Sequence, residues 1–186
     1  MILLVDLCYK EDSLGFEEFV LPVRNIVQRC GFSTREMHYT WLKGEYIKAA
    51  DGIILCGTPL ADNGFLQNTG IFSWVTSCTI PILGICAGME ILTLVQGGTL
   101  EECSEIGMQL IRTCKNDSFI EGMNEFEAYE LHGFSCFPSP EFIVLAESDN
   151  CIQLIRHSIF PSFGVMFHPE VRNEWVVERF LSMIRG

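Results

Sequence analysis

The chain has 186 residues, 48% hydrophobic and 19% charged, enough apolar content for one compact domain with a substantial core and too much for a disordered segment. Its formal charge of −12 disfavours nucleic acid or an anionic membrane surface as a partner. The nine cysteines stand singly, with no C-x-x-C and no histidine at ligand spacing, which argues against a disulfide framework or a metal site and favours a reducing, cytoplasmic setting.

Ile2 to Leu7 reads as a buried parallel strand, too short and too soon interrupted by Asp6 to serve as a signal peptide. No later run approaches membrane-spanning length. The acidic stretch from Cys8 to Phe19 has no clear period and reads as a long loop. Pro22 is placed to open a helix whose apolar face is Val23, Ile26, Val27 and Cys30, with Gly31 as its stop. A second strand is expected over Phe32 to His38, a short helix over Trp41 to Ala50, and a central strand over Ile53 to Cys56. That strand empties into the turn-rich stretch Gly57-Thr58-Pro59-Leu60-Ala61-Asp62-Asn63-Gly64. Ile71 to Cys78 reads as a helix, and Ile80 to Ile85 as the next strand.

The segment Pro81 to Glu90, P-I-L-G-I-C-A-G-M-E, runs from this strand through Cys86 directly into a helix, with Gly84 and Gly88 on either side. This is the layout of a nucleophile elbow, in which a sharp strand-to-helix turn lifts one side chain above the carboxyl edge of a sheet. A cysteine there sits at a helix N-terminus, where the dipole favours the thiolate. Cys86 is therefore the candidate nucleophile.

Gly97-Gly98 ends the elbow helix, and alternating runs follow at Met108–Arg112, Phe142–Ala146 and Ile152–Arg156, suited to antiparallel or edge strands beside the main sheet. Ser162 to Phe167 reads as the last strand, with His168 at its end. Alternation along that strand would set Glu170 on the same side as His168, stiffened by Pro169, as a base and the carboxylate that orients it. A C-terminal helix presents Val176, Val177, Phe180, Leu181 and Ile184 as its apolar face. The pattern as a whole predicts a single α/β domain with a central, mainly parallel sheet, flavodoxin-like in its ordering, and helices on both faces.

The elbow together with Phe167-His168-Pro169-Glu170 resembles the class I (triad) glutamine amidotransferases, whose signature is a G-x-C-x-G-x-Q elbow followed about eighty residues later by H-P-E. The likeness covers nearly the whole chain, so residues 1–186 are expected to form one glutaminase domain. The tail through F-H-P-E-V is most similar to the GMP synthase branch of the family. The resemblance implies a Cys86–His168–Glu170 triad, oxyanion donors at Gly57, Thr58 and Ala87, and substrate contacts from Glu90, His132, Gly133 and Phe134. It implies no cofactor and no metal, a small-molecule substrate (glutamine or a related amide), and a partner in the form of a separate synthetase subunit. Three positions depart from the family: Glu90 replaces a glutamine, Thr58 a glycine, and Leu131 a polar residue. A γ-glutamyl hydrolase using the same triad and a non-catalytic descendant that only binds a partner are the two other readings. Without the family, His132-Gly133 reads as a turn.

Overall fold

Residues 1–185 are described by a computed structural model. Among the described residues nine strands form one mixed sheet: β1 (Ile2–Asp6), β2 (Thr34–His38), β3 (Gly52–Leu55), β4 (Ile82–Ile85), β5 (Thr99–Thr113), β6 (Glu125–Phe137), β7 (Phe142–Glu147), β8 (Ile152–His157) and β9 (Ser162–Val165), in the order β2-β1-β3-β4-β9-β8-β7-β5-β6. The first five in that order pair in parallel, as the short apolar runs predict, and the remaining pairings are antiparallel. Strands β1, β3, β4 and β9 are buried along their whole length, because helices cover both faces of the parallel half. α1 (Leu21–Arg29) packs beside α4 (Trp175–Arg185), and α3 (Ala87–Val95) packs beside the segment Gly64–Ser77.

Register along the parallel half positions the site. Leu55 of β3 lies opposite Gly84 of β4, and Ile85 lies opposite Val165 of β9. Two residues beyond, at one carboxyl edge, Gly57 and Cys86 are therefore level, and the chain leaving β9 reaches them with Met166, Phe167 and His168.

Four expectations need correction. The stretch read as a loop up to Phe19 already turns helical, with a π turn at Phe16–Val20 running into α1, so Pro22 stands in the first turn of α1 as expected but has helical backbone before it. Proline has no N–H to give Glu18, and the Leu21 N–H bonds to the Phe16 carbonyl, five residues back; the widened turn absorbs the missing bond. The expected helix from Trp41 is a 3₁₀ turn (Tyr39–Trp41) and the five-residue α2 (Gly44–Lys48), leaving Trp41 exposed. The expected helix from Ile71 begins at Gly64 and is 3₁₀, kinked at Asn68. His132-Gly133, a turn on local grounds, lies within β6, because its partners are supplied by β5 and not by its neighbours in sequence.

Two glycines make the close packing at the elbow possible. A Cβ on Gly88 would stand 2.3 Å from the Leu55 carbonyl oxygen, and one on Gly84 would stand 2.5 Å from the Gly88 carbonyl carbon. Both obstacles are backbone, which cannot swing aside. Gly88→Ala is expected to destabilise the protein by at least about 3 kcal/mol, the upper end for overpacking, read as a lowered urea midpoint with an unchanged m-value. A wild-type midpoint would show that α3 can shift freely.

Candidate active site

Cys86 joins β4 to α3 with φ +49° and ψ −105°, a left-handed conformation that costs a non-glycine residue about 1–3 kcal/mol. The turn is held from three sides. The Cys86 N–H donates to the Val165 carbonyl (2.8 Å), its carbonyl accepts the first α3 bond from the Glu90 N–H (3.1 Å), and its thiol lies 3.8 Å from the Leu131 carbonyl of β6. Position at a helix N-terminus does not prevail over burial here: loss of water pushes the Cys86 thiol up, Glu90 and Glu170 add to the rise, and His168 pulls in the opposite direction without cancelling it. The group therefore favours the thiol form unless a neighbour takes its proton.

His168 stands in reach of that thiol. Its N–H donates to the Tyr129 carbonyl (3.0 Å), and its ring packs against Phe19 with centroids 5.3 Å apart. Nδ1 and the Glu170 Oε1 are 2.7 Å apart, with both side chains buried. Burial opposes the imidazolium, but the Glu170 carboxylate and, once it is ionised, the Cys86 thiolate outweigh it and hold His168 well above its ordinary range, which favours moving a proton from sulfur to imidazole. Nε2 is buried without a well-aligned partner, and the thiol and imidazole are close enough for each to favour the other's charged form. The His168–Glu170 pair does not arise from strand alternation, as the i, i+2 spacing suggested. β9 ends at Val165, and residues 168–172 form a turn in which the His168 carbonyl accepts from Val171 and Arg172 (3.1 and 3.2 Å); Pro169 presets that turn.

Gly57 lies against the His168 ring, where a Cβ would stand 2.8 Å from Cε1. Thr58 is buried, and its hydroxyl donates to the Asp62 carbonyl (3.1 Å), tying the loop in one conformation. The backbone N–H groups of Gly57, Thr58 and Ala87 find no hydrogen-bond acceptor among the described residues. They lie at the ends of the paired strands β3 and β4, with Ala87 directly after Cys86 at the start of α3.

Glu90 is 3% exposed, and its Oε2 has no partner. Burial alone raises its carboxyl to about 7. His132 is buried in β6 with Nε2 3.3 Å from Glu105 and 3.5 Å from Glu130. Gly133 and Phe134 instead line a depression of about 370 Å³ with Leu60, Asn63 and Cys103. The groups implied as substrate contacts therefore divide, with Glu90 beside the thiol and Gly133 and Phe134 at the depression that the Gly57–Gly64 loop borders.

Two buried carboxylates escaped the sequence reading. Glu130 is fully buried and pushed up to about 8, by burial first and by Glu105 second, with His168 pulling it down. Its signal was available: Ala128, Glu130 and His132 occupy the buried alternate positions of β6, and a charge at such a position is uncommon. Glu105 and Gln153 carried no such signal, because neither precedes or follows a motif.

The family model for class I glutamine amidotransferases matches residues 21–181. The chain is 33% identical over 130 residues to the glutamine-hydrolyzing GMP synthase subunit of Picrophilus torridus, covering 67% of this chain and 69% of that one. It is also 33% identical over 145 residues to the corresponding protein of Methanothrix thermoacetophila, covering 73% and 78%. Among solved structures, a glutamine amidotransferase from Thermotoga maritima superposes with a TM-score of 0.72 at 17% identity, covering 99% of this chain and 81% of that one. A Thermoplasma acidophilum protein provisionally assigned to GMP synthase superposes with a TM-score of 0.87 at 20% identity, covering 99% and 93%. Both share the fold.

Proposed function

Since the chain belongs to the class I glutamine amidotransferases, we propose that it hydrolyses the side-chain amide of glutamine and hands the ammonia to a separate synthetase subunit, with residues 1–186 as the glutaminase domain. The observation that carries this reading is a strained elbow cysteine beside a histidine whose far nitrogen is held 2.7 Å from a buried carboxylate. In the reaction, Cys86 Sγ attacks the amide carbon while His168 Nε2 takes the thiol proton. The oxygen of the tetrahedral intermediate accepts from the Ala87 N–H and from the N–H of Gly57 or Thr58. His168 returns the proton to the leaving nitrogen, ammonia departs, and a thioester remains on Cys86. Water, deprotonated by His168, then attacks the thioester carbon, releasing glutamate and restoring the thiol. Glu170 keeps the proton on Nδ1, so that Nε2 is the nitrogen facing the thiol.

A reducing, cytoplasmic compartment suits a free thiol of this kind, and no helix among the described residues is long and apolar enough to cross a membrane. A second reading, hydrolysis of a γ-glutamyl compound other than glutamine, draws on Glu90: a buried carboxyl without a partner stands near the thiol where the family has an amide.

Ammonia release from glutamine and from γ-glutamyl amides, with and without the synthetase partner, separates the readings. Glutamine turnover that rises on adding the partner is the expected result. A diazo-ketone analogue of glutamine should also alkylate Cys86 alone among the nine cysteines, located by peptide mass mapping. Labelling elsewhere with Cys86 untouched would remove the nucleophile assignment.

A further inference from the structure

Outside the Cys86 site, three metal-ligating side chains from distant points in the sequence converge on the antiparallel half of the sheet. Glu105, His132 and Cys151 each present one donor atom, and these atoms all lie within 4.8 Å of one another. Cys103 lies outside that group, but its sulfur is 2.8 Å from that of Cys151, so a small shift would bring it to an ion held there. We propose that Cys103, Glu105, His132 and Cys151 bind a zinc ion that ties β5, β6 and the β7–β8 turn together.

The site has the parts such an ion requires. The His132 Nε2 to Glu105 Oε2 distance is 3.3 Å; a nitrogen and an oxygen at two corners of a tetrahedral zinc, each about 2.0–2.2 Å from the metal, stand about 3.3 Å apart. Mixed sulfur, nitrogen and carboxylate donors suit zinc and exclude magnesium or calcium. The carboxylate is already oriented: Ser148 Oγ (2.9 Å) and Asn150 Nδ2 (3.1 Å) donate to Oε1, and Gln153 Nε2 (2.8 Å) donates to Oε2. Such outer contacts are what fix a ligand in a metal centre. Cys151 is held by its turn, since its N–H donates to Ser148 Oγ at 2.9 Å. Cys103 lies on the irregularity in β5, where Glu102 pairs with Phe134 but Glu105 pairs with His132. The extra residue lets the sulfur move without breaking the ladder. It must retreat by about 1 Å, because two thiolates on one zinc stand about 3.8 Å apart.

The unpartnered groups supply an independent reason. Both ring nitrogens of His132 and both oxygens of Glu130 are buried without a well-aligned hydrogen bond, and no lysine or arginine forms an ion pair with Glu105 or Glu130 among the described residues. A buried imidazole without a well-aligned partner, beside a carboxylate that no cation meets, is a polar cluster that a bound cation would complete. A disulfide between Cys103 and Cys151, the rival use of these sulfurs, would leave all of them as they are. The ion also has a way in, because Ser148, Asn150 and Cys151 line one shallow depression and Cys103 lines another. On binding zinc, each thiol gives its proton to solvent and the thiolate forms the metal bond.

The test uses the whole chain, reduced with a phosphine, exposed to zinc chloride and desalted. Elemental analysis should find about one zinc per chain, with cobalt(II) in its place giving a tetrahedral spectrum with a thiolate charge-transfer band. Cys151→Ser and His132→Gln should each lower zinc content at least about tenfold, and Cys86→Ser should leave it unchanged. Circular dichroism confirms that each variant is folded, and the cobalt spectrum of the unaltered chain tests the site where a variant is not. Reduced wild type holding less than about a tenth of an equivalent, zinc retained in folded Cys151→Ser, loss of zinc in Cys86→Ser, or a cobalt spectrum without thiolate ligation would each overturn the proposal. So would a Cys103–Cys151 disulfide whose reduction brings no metal uptake.

Discussion

Cys86→Ala and His168→Ala are each expected to lower kcat for glutamine by about 10⁶-fold, and Glu170→Ala by about 10⁴-fold, leaving measurable turnover. The order follows from what each group does. Without the Cys86 sulfur no thioester forms, and because burial favours the thiol form, removing His168 removes the proton's acceptor. The residual rate comes from binding and the oxyanion donors alone. Glu170 acts through His168. Its 2.7 Å contact with Nδ1 and its charge stabilise the imidazolium that forms when the thiol gives up its proton, so its loss leaves a base that is present but less well oriented. The double variant Cys86→Ala/His168→Ala should be no slower than either single one, since the two groups serve one step. Steady-state ammonia release, with a coupled glutamate assay as a check, measures all four. Turnover in His168→Ala within about tenfold of wild type would end the triad assignment.

The Michaelis constant for glutamine is expected to rise about tenfold between pH 6 and pH 8 in the wild type and to stay level in Glu90→Gln. Glu90 titrates at about 7, raised by burial, so it crosses from mostly protonated to mostly ionised over that interval. A protonated carboxyl both donates and accepts, as the family's glutamine amide does. The ionised form only accepts, and it repels a substrate carboxylate at a cost of about 1–3 kcal/mol. At pH 8, Glu90→Gln should therefore bind glutamine about tenfold more tightly than wild type. Linkage gives a second readout. Because the folded value lies above the ordinary 4.5, Glu90's contribution to stability is fully present below about pH 4.5 and is lost as the pH rises through about 7. Glu90→Gln removes that loss, which for a shift of this size is on the order of 3 kcal/mol, so the variant should gain stability over wild type in alkaline solution and not in acid. A substrate carrying an ammonium near Glu90 would show the opposite pH trend, the mark of the γ-glutamyl alternative. A Michaelis constant that is level with pH in the wild type and unchanged by Glu90→Gln would show that Glu90 does not meet the substrate.

Much of this molecule is legible residue by residue, for a physical reason. Short apolar runs such as Ile2–Asp6 and Ile82–Ile85 can only be strands buried on both faces, and a run of that kind passing through Gly-Ile-Cys-Ala-Gly into a helical period specifies the elbow locally. His168, Pro169 and Glu170 are adjacent, so their meeting also needed no distant partner, although a turn and not a pleat brings it about. Where the reading failed, a non-local partner decided. β6 became a strand because β5 lies alongside it, and the helix before Pro22 formed although the sequence there has no clean period.

The sequence by itself determined the parallel half of the sheet, the elbow at Cys86 and the chain's place in its family, because each depends on contacts between neighbours or on a pattern repeated within a few residues. Only the tertiary structure decided that Glu90 is buried without a partner, that Gly57 must lack a Cβ to admit the His168 ring, and that Glu130 is enclosed within the sheet. It alone also gathered Cys103, Glu105, His132 and Cys151, whose spacing suggests no metal ligands. Proximity between residues tens of positions apart is set by strand order and register, and burial by what the other layers place on top. Neither quantity is carried by any residue or its neighbours alone.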